Sequence, residues 1–187
     1  MTDMASVRRA EARDVAAIAR IHVDGWRSTY SGIVPDDYLA GMSYESREQR
    51  WKAALGDPKG ETSTFVAEAG SDGVVGFATC GPERTGDPDF RGELRTIYVA
   101  GHMQRKGVGL MLTSYVADDL RVRGLGSMLV WALELNPSTR YYEVIGGERV
   151  RSKEIVIGGR PLTVVAYGWS SLETLIAGLK SRMEERR

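Results

Sequence analysis

A short loop in the middle of the chain has the residue types and spacing of a phosphate-binding site. A strand-like run at residues 93–99 is followed by a polar stretch, and the chain then enters an amphipathic helix through Gln104-Arg105-Lys106-Gly107-Val108-Gly109. A loop at the start of a helix presents several backbone N–H groups and the positive end of the helix dipole to one point in space. The pattern therefore predicts a site for a phosphate or pyrophosphate group. The alternative is a glycine-rich turn that binds no ligand.

Two common nucleotide-binding motifs do not fit this loop. A P-loop requires Gly-x-x-x-x-Gly-Lys-[Ser/Thr], but neither Gly107 nor Gly109 is followed by Lys and then Ser or Thr. A dinucleotide fingerprint requires Gly-x-Gly-x-x-Gly, and Leu112 occupies its third glycine position here. What remains is Gln-x-x-Gly-x-Gly, preceded by a strand that has a carboxylate, Glu93, at its start.

Four segments of the chain resemble the GNAT superfamily of N-acetyltransferases. The motif Gln104-x-x-Gly107-x-Gly109 resembles the acetyl-CoA signature of that superfamily, and its distance from Glu93 resembles the spacing in the histone-acetylating members. The other three segments are similar to the downstream motif, the exit of the first helix and the last strand of the superfamily; they are Asn136-Pro-Ser-Thr-Arg140-Tyr141-Tyr142-Glu143-Val-Ile-Gly146-Gly147, Trp26-Arg-x-Thr-Tyr30-x-Gly32-Ile-Val-Pro35 and Ala166-Tyr-Gly-Trp169.

The resemblance extends over the whole chain and implies one N-acetyltransferase domain at residues 1–187. The implied fold class is α/β, with a mixed, mostly antiparallel central sheet of about seven strands flanked by helices on both faces. The implied reaction transfers the acetyl group of acetyl-CoA, the cosubstrate, to a primary amine of a small molecule by direct attack in a ternary complex. Two alternatives stay open: a non-catalytic acyl-CoA-binding sensor or scaffold, and an acetyltransferase for protein N-termini or lysines.

Glu93 is the candidate general base. An alkylamine has a pKa near 10.4, so only about one molecule in a thousand is neutral and nucleophilic at pH 7. A positioned base typically accelerates such a reaction about 10²- to 10⁴-fold. The alternative for Glu93 is an exposed strand-edge residue in a surface ion pair with Arg91 or Arg95. A strongly desolvating pocket would also lower the pKa of the amine and remove the need for a base.

The resemblance assigns the cofactor contacts mainly to backbone groups. The amide of Ile97 is expected to stabilise the oxyanion, and Val99 to bond the pantetheine amide, with Tyr98 between them in the same strand segment. The pyrophosphate is expected on the amides of Gln104, Arg105, Lys106, Gly107, Val108 and Gly109. Arg105 and Lys106 would neutralise its charge, or they form a solvated face.

Two side chains complete the implied site. Tyr142 is the candidate acid, because a phenol of pKa about 10 can protonate a thiolate whose conjugate acid has a somewhat lower pKa. Its alternative is a tyrosine that only packs against the thiol end of the cofactor. Asn136 is expected to bond the pantetheine arm through its carboxamide, and its alternative is a cap at the end of a strand.

Three aromatic residues of the first helix are candidates for the acceptor side. His22, Trp26 and Tyr30 recur at helical spacing and therefore share one face. Trp26 and Tyr30 are assigned to substrate binding as part of an aromatic wall for an aliphatic amine or cation. The alternative is that this stripe belongs to the core.

The apolar periodicity predicts the elements that position these groups. Strands are predicted for residues 4–9, 64–69, 74–80, 92–99 and 127–133, and a hairpin for residues 149–157 and 160–170 around Gly158-Gly159. Helices are predicted for residues 14–30, 35–42, 43–55 and 107–123 and for the stretch from residue 172 onward. Gly124 is expected to end the fourth of these helices in a left-handed conformation.

Composition sets the broad class. The chain of 187 residues has no formal net charge and a pI of about 6.8, so it has no field that would attract nucleic acid or an anionic membrane. Its one cysteine, Cys80, is typical of a reducing compartment. The sequence has no metal-ligand spacing and no run near the ~20 apolar residues of a membrane span, and its first residues lack the apolar stretch that a signal peptide requires. We therefore expect a cytoplasmic protein without metal, nucleic-acid or membrane partners. The resemblance further implies a homodimer through the hairpin at residues 149–170, since many members of the superfamily dimerise through their late strands.

Overall fold

A seven-stranded sheet forms the centre of the computed structural model, which describes residues 5–56 and 60–186. Its strands are β1 (Ser6–Arg9), β2 (Ser63–Ala69), β3 (Gly73–Pro82), β4 (Gly92–Val99), β5 (Met128–Leu133), β6 (Glu148–Ile157) and β7 (Arg160–Trp169). They lie in the order β1-β2-β3-β4-β5-β7-β6, and all neighbours are antiparallel except β4 and β5. The predicted α/β class with a mixed, mostly antiparallel sheet is confirmed.

The parallel pair of β4 and β5 opens into a gap. Gly92 lies opposite Met128 and Glu93 opposite Leu129, and no further residues of the two strands are paired in the described chain. The rest of β4 therefore has no strand partner on its β5 side. Backbone N–H and C=O groups on that side are available to a ligand.

Helices cover both faces of the sheet. They are α1 (Val15–Thr29), α2 (Asp36–Ala40), α3 (Tyr44–Leu55), α4 (Val108–Val122), α5 (Thr139–Val144) and α6 (Leu172–Glu184). On one side, here the α1 face, Ile18 and Trp51 pack against Phe77 of β3. On the other, the α4 face, Leu112 of α4 and Leu179 of α6 are buried in a larger cluster. None of the helices within residues 5–56 and 60–186 is long and apolar enough to cross a bilayer.

Helix α4 forms where the sequence predicts it because its apolar residues recur every four positions. Four of them are at most 1% exposed: Val108, Leu112, Val116 and Leu120. The helix ends before Gly124, whose φ of 77° is left-handed, and the N–H of Leu125 bonds back to the C=O of Leu120. Because these apolar residues are buried, α4 is held against the sheet. Its start lies next to the open end of β4.

The other elements agree with the predictions apart from their ends. Strand β3 continues to Pro82, where the prediction placed a loop, because Pro82 pairs with Gly92 of β4. Gly158 and Gly159 form the predicted hairpin turn with φ values of 57° and 79°. Met4, assigned to the first strand, and residues 57–59 of the predicted break after α3 lie outside the described residues.

Candidate active site

Backbone amides that point away from β3 line one side of the gap. The N–H of Ala100 donates to the C=O of Val75 in β3 at 2.8 Å. Because N–H groups alternate in direction along a strand, those of Ile97 and Val99 point the other way, into the gap. The C=O of Val99 has the same direction and accepts from Nε2 of Gln104 at 3.2 Å. The two amides to which the sequence assigns the acetyl and pantetheine groups therefore face the open side of the sheet.

The loop at residues 104–109 places further N–H groups just beyond β4. Two left-handed residues, Arg105 with φ 61° and Gly107 with φ 86°, turn the chain into α4. The N–H of Met111 bonds to the C=O of Gly107 at 3.1 Å and begins the helical pattern. The N–H of Gln104, predicted as a phosphate donor, instead donates to the C=O of Gly101 at 3.3 Å. The N–H groups of residues 105–110 have no acceptor within the helix, so together with the helix dipole they can bind a phosphate.

Three cations surround this loop. Arg105 and Lys106 are exposed, as expected for residues that either neutralise a bound anion or face solvent. The third is Arg186, whose Nη1 donates to the C=O of Arg105 at 3.1 Å. The sequence did not indicate Arg186, because nothing in its spacing relates the end of the last helix to a loop 81 residues earlier.

Polar groups of four residues come together at the open end of the gap, near the end of β4 and just beyond the end of β5. Nδ2 of Asn136 donates to the hydroxyl of Tyr30 at 3.1 Å in a buried contact. The hydroxyl of Tyr98 lies beside that of Tyr30, and the hydroxyl of Tyr142 interacts electrostatically with both. Burial raises the pKa of all three phenols, so each is protonated at neutral pH. Oδ1 of Asn136 accepts from the N–H of Ser138 at 2.8 Å, so Asn136 also acts as the predicted strand-end cap.

The adjacent tyrosines of α5 have different surroundings. The hydroxyl of Tyr141 donates to the C=O of Gly109 at 3.0 Å and lies 2.7 Å from Oγ1 of Thr113, so it fastens α5 to the start of α4. Tyr142 is 5% exposed and packs edge-on against Trp169. Its hydroxyl has no hydrogen-bond partner in the part of the chain that the structure describes. Tyr141 is thus a structural residue, whereas the hydroxyl of Tyr142 is available to a ligand.

Glu93 is buried at the start of the gap, where Arg84 holds it in an ion pair. Its side chain is 4% exposed. Oε2 accepts from Nε of Arg84 at 2.8 Å and Oε1 from Nη2 at 2.6 Å. The alternative of an exposed glutamate paired with Arg91 or Arg95 is wrong, because the loop before β4 brings Arg84 to the carboxylate. Arg95 instead donates to the C=O of Pro82 at 3.0 Å.

A β-bulge in β4 decides which side chains share a face with Glu93. Residues 94 and 96 pair with consecutive residues of β3, which leaves Arg95 without a partner on that strand. In a regular strand, Glu93 and Tyr98 would point to opposite faces because they are an odd number of positions apart. The extra residue shifts the alternation by one, so both side chains lie on the α1 face.

The loop that carries Arg84 is fastened to the α1 face at its far end. Arg151 of β6 forms ion pairs at 3.1 and 2.5 Å with two loop residues, Asp87 and Asp89. Phe90 lies on Gly168 of β7 so closely that a Cβ at Gly168 would fall 2.3 Å from the ring. The side chain of Arg84 is 58% exposed and is held by Glu93. It can leave Glu93 while the rest of the loop stays in place.

The three aromatic residues predicted on one face of α1 do not all reach the gap. The ring of His22 packs 5.1 Å from that of Tyr98, and its Nδ1 accepts from Nε1 of Trp51 at 3.2 Å. Burial lowers the pKa of His22 to about 3, so it is a neutral residue of the core. Tyr30 does reach the gap through its hydroxyl, and Trp26 packs edge-on against Tyr30 with the ring centroids 4.8 Å apart.

The neutral state of His22 is expected to make stability depend on pH. Below its ordinary pKa of 6.5 the unfolded chain binds a proton at His22, while the folded chain does not until about pH 3. The free energy of unfolding should therefore fall by about 1.4 kcal/mol for each pH unit below about 6. Urea unfolding at neutral and mildly acidic pH measures this change. The variant His22→Gln keeps an acceptor for Trp51, and its free energy of unfolding should depend less on pH. An equal decrease at acidic pH in the parent and in the variant would contradict this role of His22.

A lysine and a tryptophan near the gap were not predicted from the sequence. Nζ of Lys153 in β6 lies 4.0 Å from the centroid of the Trp131 ring in β5. Trp131 is two residues after Leu129, the partner of Glu93, and therefore shares the α1 face with Glu93. The sequence of β5 could not reveal this, because a strand that is apolar on both faces has no alternation from which to assign them.

Two further observations concern other places where a ligand or a metal ion could bind. A cavity of about 500 Å³ lies between α5, the start of β6, the end of β7 and α6, and none of the predicted site residues lines it. Within the described residues, no group of three or more His, Cys, Asp or Glu side chains could hold a metal ion.

Comparisons with known proteins define the class. The model of the Acetyltransferase (GNAT) family matches residues 15–146. The uncharacterized N-acetyltransferase YuaI of Bacillus subtilis is 38% identical over 172 residues, which are 92% of this chain and 96% of YuaI. The protein is thus an acyltransferase. The chain belongs to the GNAT family of acetyltransferases.

Solved structures have the same fold. The PaiA N-acetyltransferase from Thermoplasma acidophilum, in complex with coenzyme A, superposes with a TM-score of 0.71 at 14% identity and covers 89% of this chain and 99% of its own. The yncA protein from Salmonella typhimurium, with its cofactor acetyl-CoA, gives a TM-score of 0.63 at 22% identity and covers 90% of this chain and 94% of its own.

Proposed function

We propose that this protein transfers the acetyl group of acetyl-CoA to the primary amine of a small molecule by direct attack in a ternary complex. The observation that carries the proposal is the gap between β4 and β5, with the inward-facing amides of Ile97 and Val99 along it and the N–H groups of residues 105–109 at its end. These donors fit the cosubstrate, since its pyrophosphate is an anion and its pantetheine arm carries amides that can bond to a strand edge.

The assigned cofactor contacts follow from this arrangement. Gly107, whose φ of 86° favours glycine, lets a phosphate approach the backbone. A Cβ at Gly109 would contact the ring of Tyr141 at 3.7 Å, so the assigned role of Gly109 is its N–H at the start of α4. Arg105 and Lys106 supply positive charge, and Val99 and the second hydrogen on Nδ2 of Asn136 bond the pantetheine arm. Bound acetyl-CoA supplies a thioester, the acetyl donor of the reaction.

Glu93 acts as the base once the acceptor has displaced Arg84. Arg84 occupies both oxygens of the carboxylate, so a proton can reach Glu93 only after the guanidinium moves. An acceptor amine is protonated in water at neutral pH. The ammonium group of the acceptor can therefore take the place of the Arg84 guanidinium at Glu93. Transfer of its proton to the carboxylate then leaves the neutral, nucleophilic amine.

One backbone N–H and one phenol act on the negative charges that form on the acetyl oxygen and on the departing thiolate. The N–H of Ile97 stabilises the negative charge that develops on the acetyl oxygen, because a fixed backbone donor needs no reorganisation. As the amide forms, the amine nitrogen loses its second proton to the oxygen of Tyr142, which in turn gives its hydroxyl proton to the departing thiolate. Burial raises the pKa of Tyr142, and the same desolvation raises the pKa of a thiol held beside it, which preserves the driving force for this transfer.

Release of free thiol from acetyl-CoA tests the proposal. The purified protein is given polyamines, amino acids, aminoglycosides and short peptides in parallel, and acetyl-CoA binding is measured by calorimetry. Turnover with a small amine supports the proposal, whereas turnover with peptides alone would move the function to protein acetylation. Binding without turnover would favour a sensor, and no binding of acetyl-CoA would overturn the assignment of the gap.

We also propose that two copies associate through the hairpin of β6 and β7. Strand β6 is the last strand of the sheet, so its outer edge has no partner in the described chain. Val156 on this strand is 71% exposed. Sedimentation at micromolar concentration should give twice the monomer mass, and a monomer would contradict this arrangement.

A further inference from the structure

We propose that the acceptor amine carries a carboxylate, as an amino acid does, and that Lys153 and Arg47 recognise it from the two sides of the gap. This inference rests on the proposed function, because it names the substrate class of the same site. Its basis is the balance of charges and of hydrogen-bonding groups on the α1 face, which the acceptor must approach if the cosubstrate phosphates lie at the start of α4.

The first cation is Lys153, on the β5 side of the gap. Its Nζ lies over the ring of Trp131 at 4.0 Å, and Trp131 shares the α1 face with Glu93. No carboxylate of the described residues lies within ion-pair distance of Lys153. An aromatic face attracts a cation but leaves its hydrogen-bond donors free for another partner.

The second cation is Arg47 of α3, on the β4 side of the gap. Its guanidinium acts electrostatically on the hydroxyls of Tyr38 and Tyr98 and on the ring of His22. Arg47 is half-buried, yet among residues 5–56 and 60–186 it forms no ion pair. A cation that is partly removed from water favours an anionic partner, since its partial desolvation is otherwise uncompensated.

Three carboxylates on this face, at the start of the gap and in the loop before β4, are already neutralised. Glu93 is held by Arg84, and both Asp87 and Asp89 are held by Arg151. When an acceptor amine displaces Arg84 from Glu93, one more cation is released. The further positive charges of a polyamine would then lie among these cations of the protein. A carboxylate next to the amine would instead serve the same cations as a counter-ion.

Two tryptophans add unsatisfied donors to the same surroundings. The indole N–H groups of Trp26 and Trp131 are buried and have no hydrogen-bond partner in the described chain. A buried donor without an acceptor is unfavourable and is normally compensated. With cations and donors in excess and no free carboxylate among these groups, the acceptor must supply oxygen acceptors and negative charge.

The experiment compares acceptors that differ only in the carboxylate. Leucine, leucinamide and 3-methylbutylamine share one side chain and one primary amine, but only leucine carries the anion; methionine and 3-(methylthio)propylamine form a second set. We expect kcat/KM to be about 10- to 100-fold higher for the carboxylate-bearing member, the range of a charge-assisted hydrogen bond. Equal or better use of the uncharged relatives, or of spermidine, would overturn the inference and leave the proposed function standing.

Variants then connect the preference to the two cations. Lys153→Met and Arg47→Met should each reduce the ratio of kcat/KM for leucine to that for leucinamide. Lys180→Met and Arg20→Met remove the same charges from exposed positions and should leave the ratio unchanged. An unchanged ratio in both Lys153→Met and Arg47→Met would overturn the assignment. Failure of every amine in a protein that binds acetyl-CoA would instead refute the proposed function, and this inference with it.

Discussion

Replacing Tyr142 with phenylalanine is expected to lower kcat for amine acetylation by about 10²- to 10⁴-fold, the usual contribution of a positioned acid or base. The change removes only the hydroxyl, which donates to no other group in the described chain. The ring and its packing against Trp169 remain. Stability and the dissociation constant of acetyl-CoA should therefore stay close to those of the parent protein, so that the loss appears in the chemical step.

The adjacent tyrosine supplies a matched control. Tyr141→Phe removes the same atom, but that hydroxyl bonds to Gly109 and Thr113. It should lower the free energy of unfolding by about 1 kcal/mol for each hydrogen bond lost. Its kcat should fall much less than that of Tyr142→Phe. If turnover by Tyr142→Phe were normal, Tyr142 would not be the acid, and its buried hydroxyl would have no role in the transfer.

The second large effect is expected from Glu93→Gln. The amide keeps the size of the side chain but cannot take a proton from the acceptor, so kcat/KM should fall by about 10²-fold or more. The pH–rate profile should also change shape, because the proton of the acceptor has no carboxylate to receive it. A pH–rate profile of the variant from mildly acidic to alkaline conditions measures both.

Glu134→Gln serves as the comparison for Glu93→Gln. Glu134 also forms an ion pair with an arginine, Arg149, at 2.5 Å, but its side chain is 40% exposed and lies beyond the end of β5. Loss of that pair should change stability by less than about 1 kcal/mol and leave the pH–rate profile unchanged. A profile of Glu93→Gln that matched the parent would eliminate Glu93 as the base and favour desolvation of the amine as the source of the nucleophile.

Local spacing was enough to predict the elements and the backbone part of the site. Helix α4 forms because four apolar residues recur every turn, and its glycine stop follows from left-handed geometry; both are properties of neighbouring residues. The order of a strand, a glycine loop and a helix likewise places N–H groups at one point whatever the rest of the chain does.

Side-chain partners could not be predicted, since they depend on the path of the chain between elements. Asn136 and Tyr30 meet across 106 positions, and Arg84 reaches Glu93 because of how one loop crosses the sheet. The bulge at Arg95 is a third case: without it, Tyr98 would point to the other face. His22 has the same spacing as Trp26 and Tyr30, and only the packing of Trp51 shows that it belongs to the core.

Because β4 and β5 pair through so few residues, the middle of the sheet is also its most weakly paired part. Two residue pairs hold one half, strands β1 to β4, to the other half, strands β5, β7 and β6. The other ties between the halves are side-chain clusters and the packing of α4 against α6. A ligand that bridges the gap closes this seam, and at about 100 times its Kd it adds about 2.7 kcal/mol to the folded state. The lifetime of the enzyme against proteolysis should then follow the supply of its own acetyl donor, so that a cell short of that donor also loses the catalyst that consumes it.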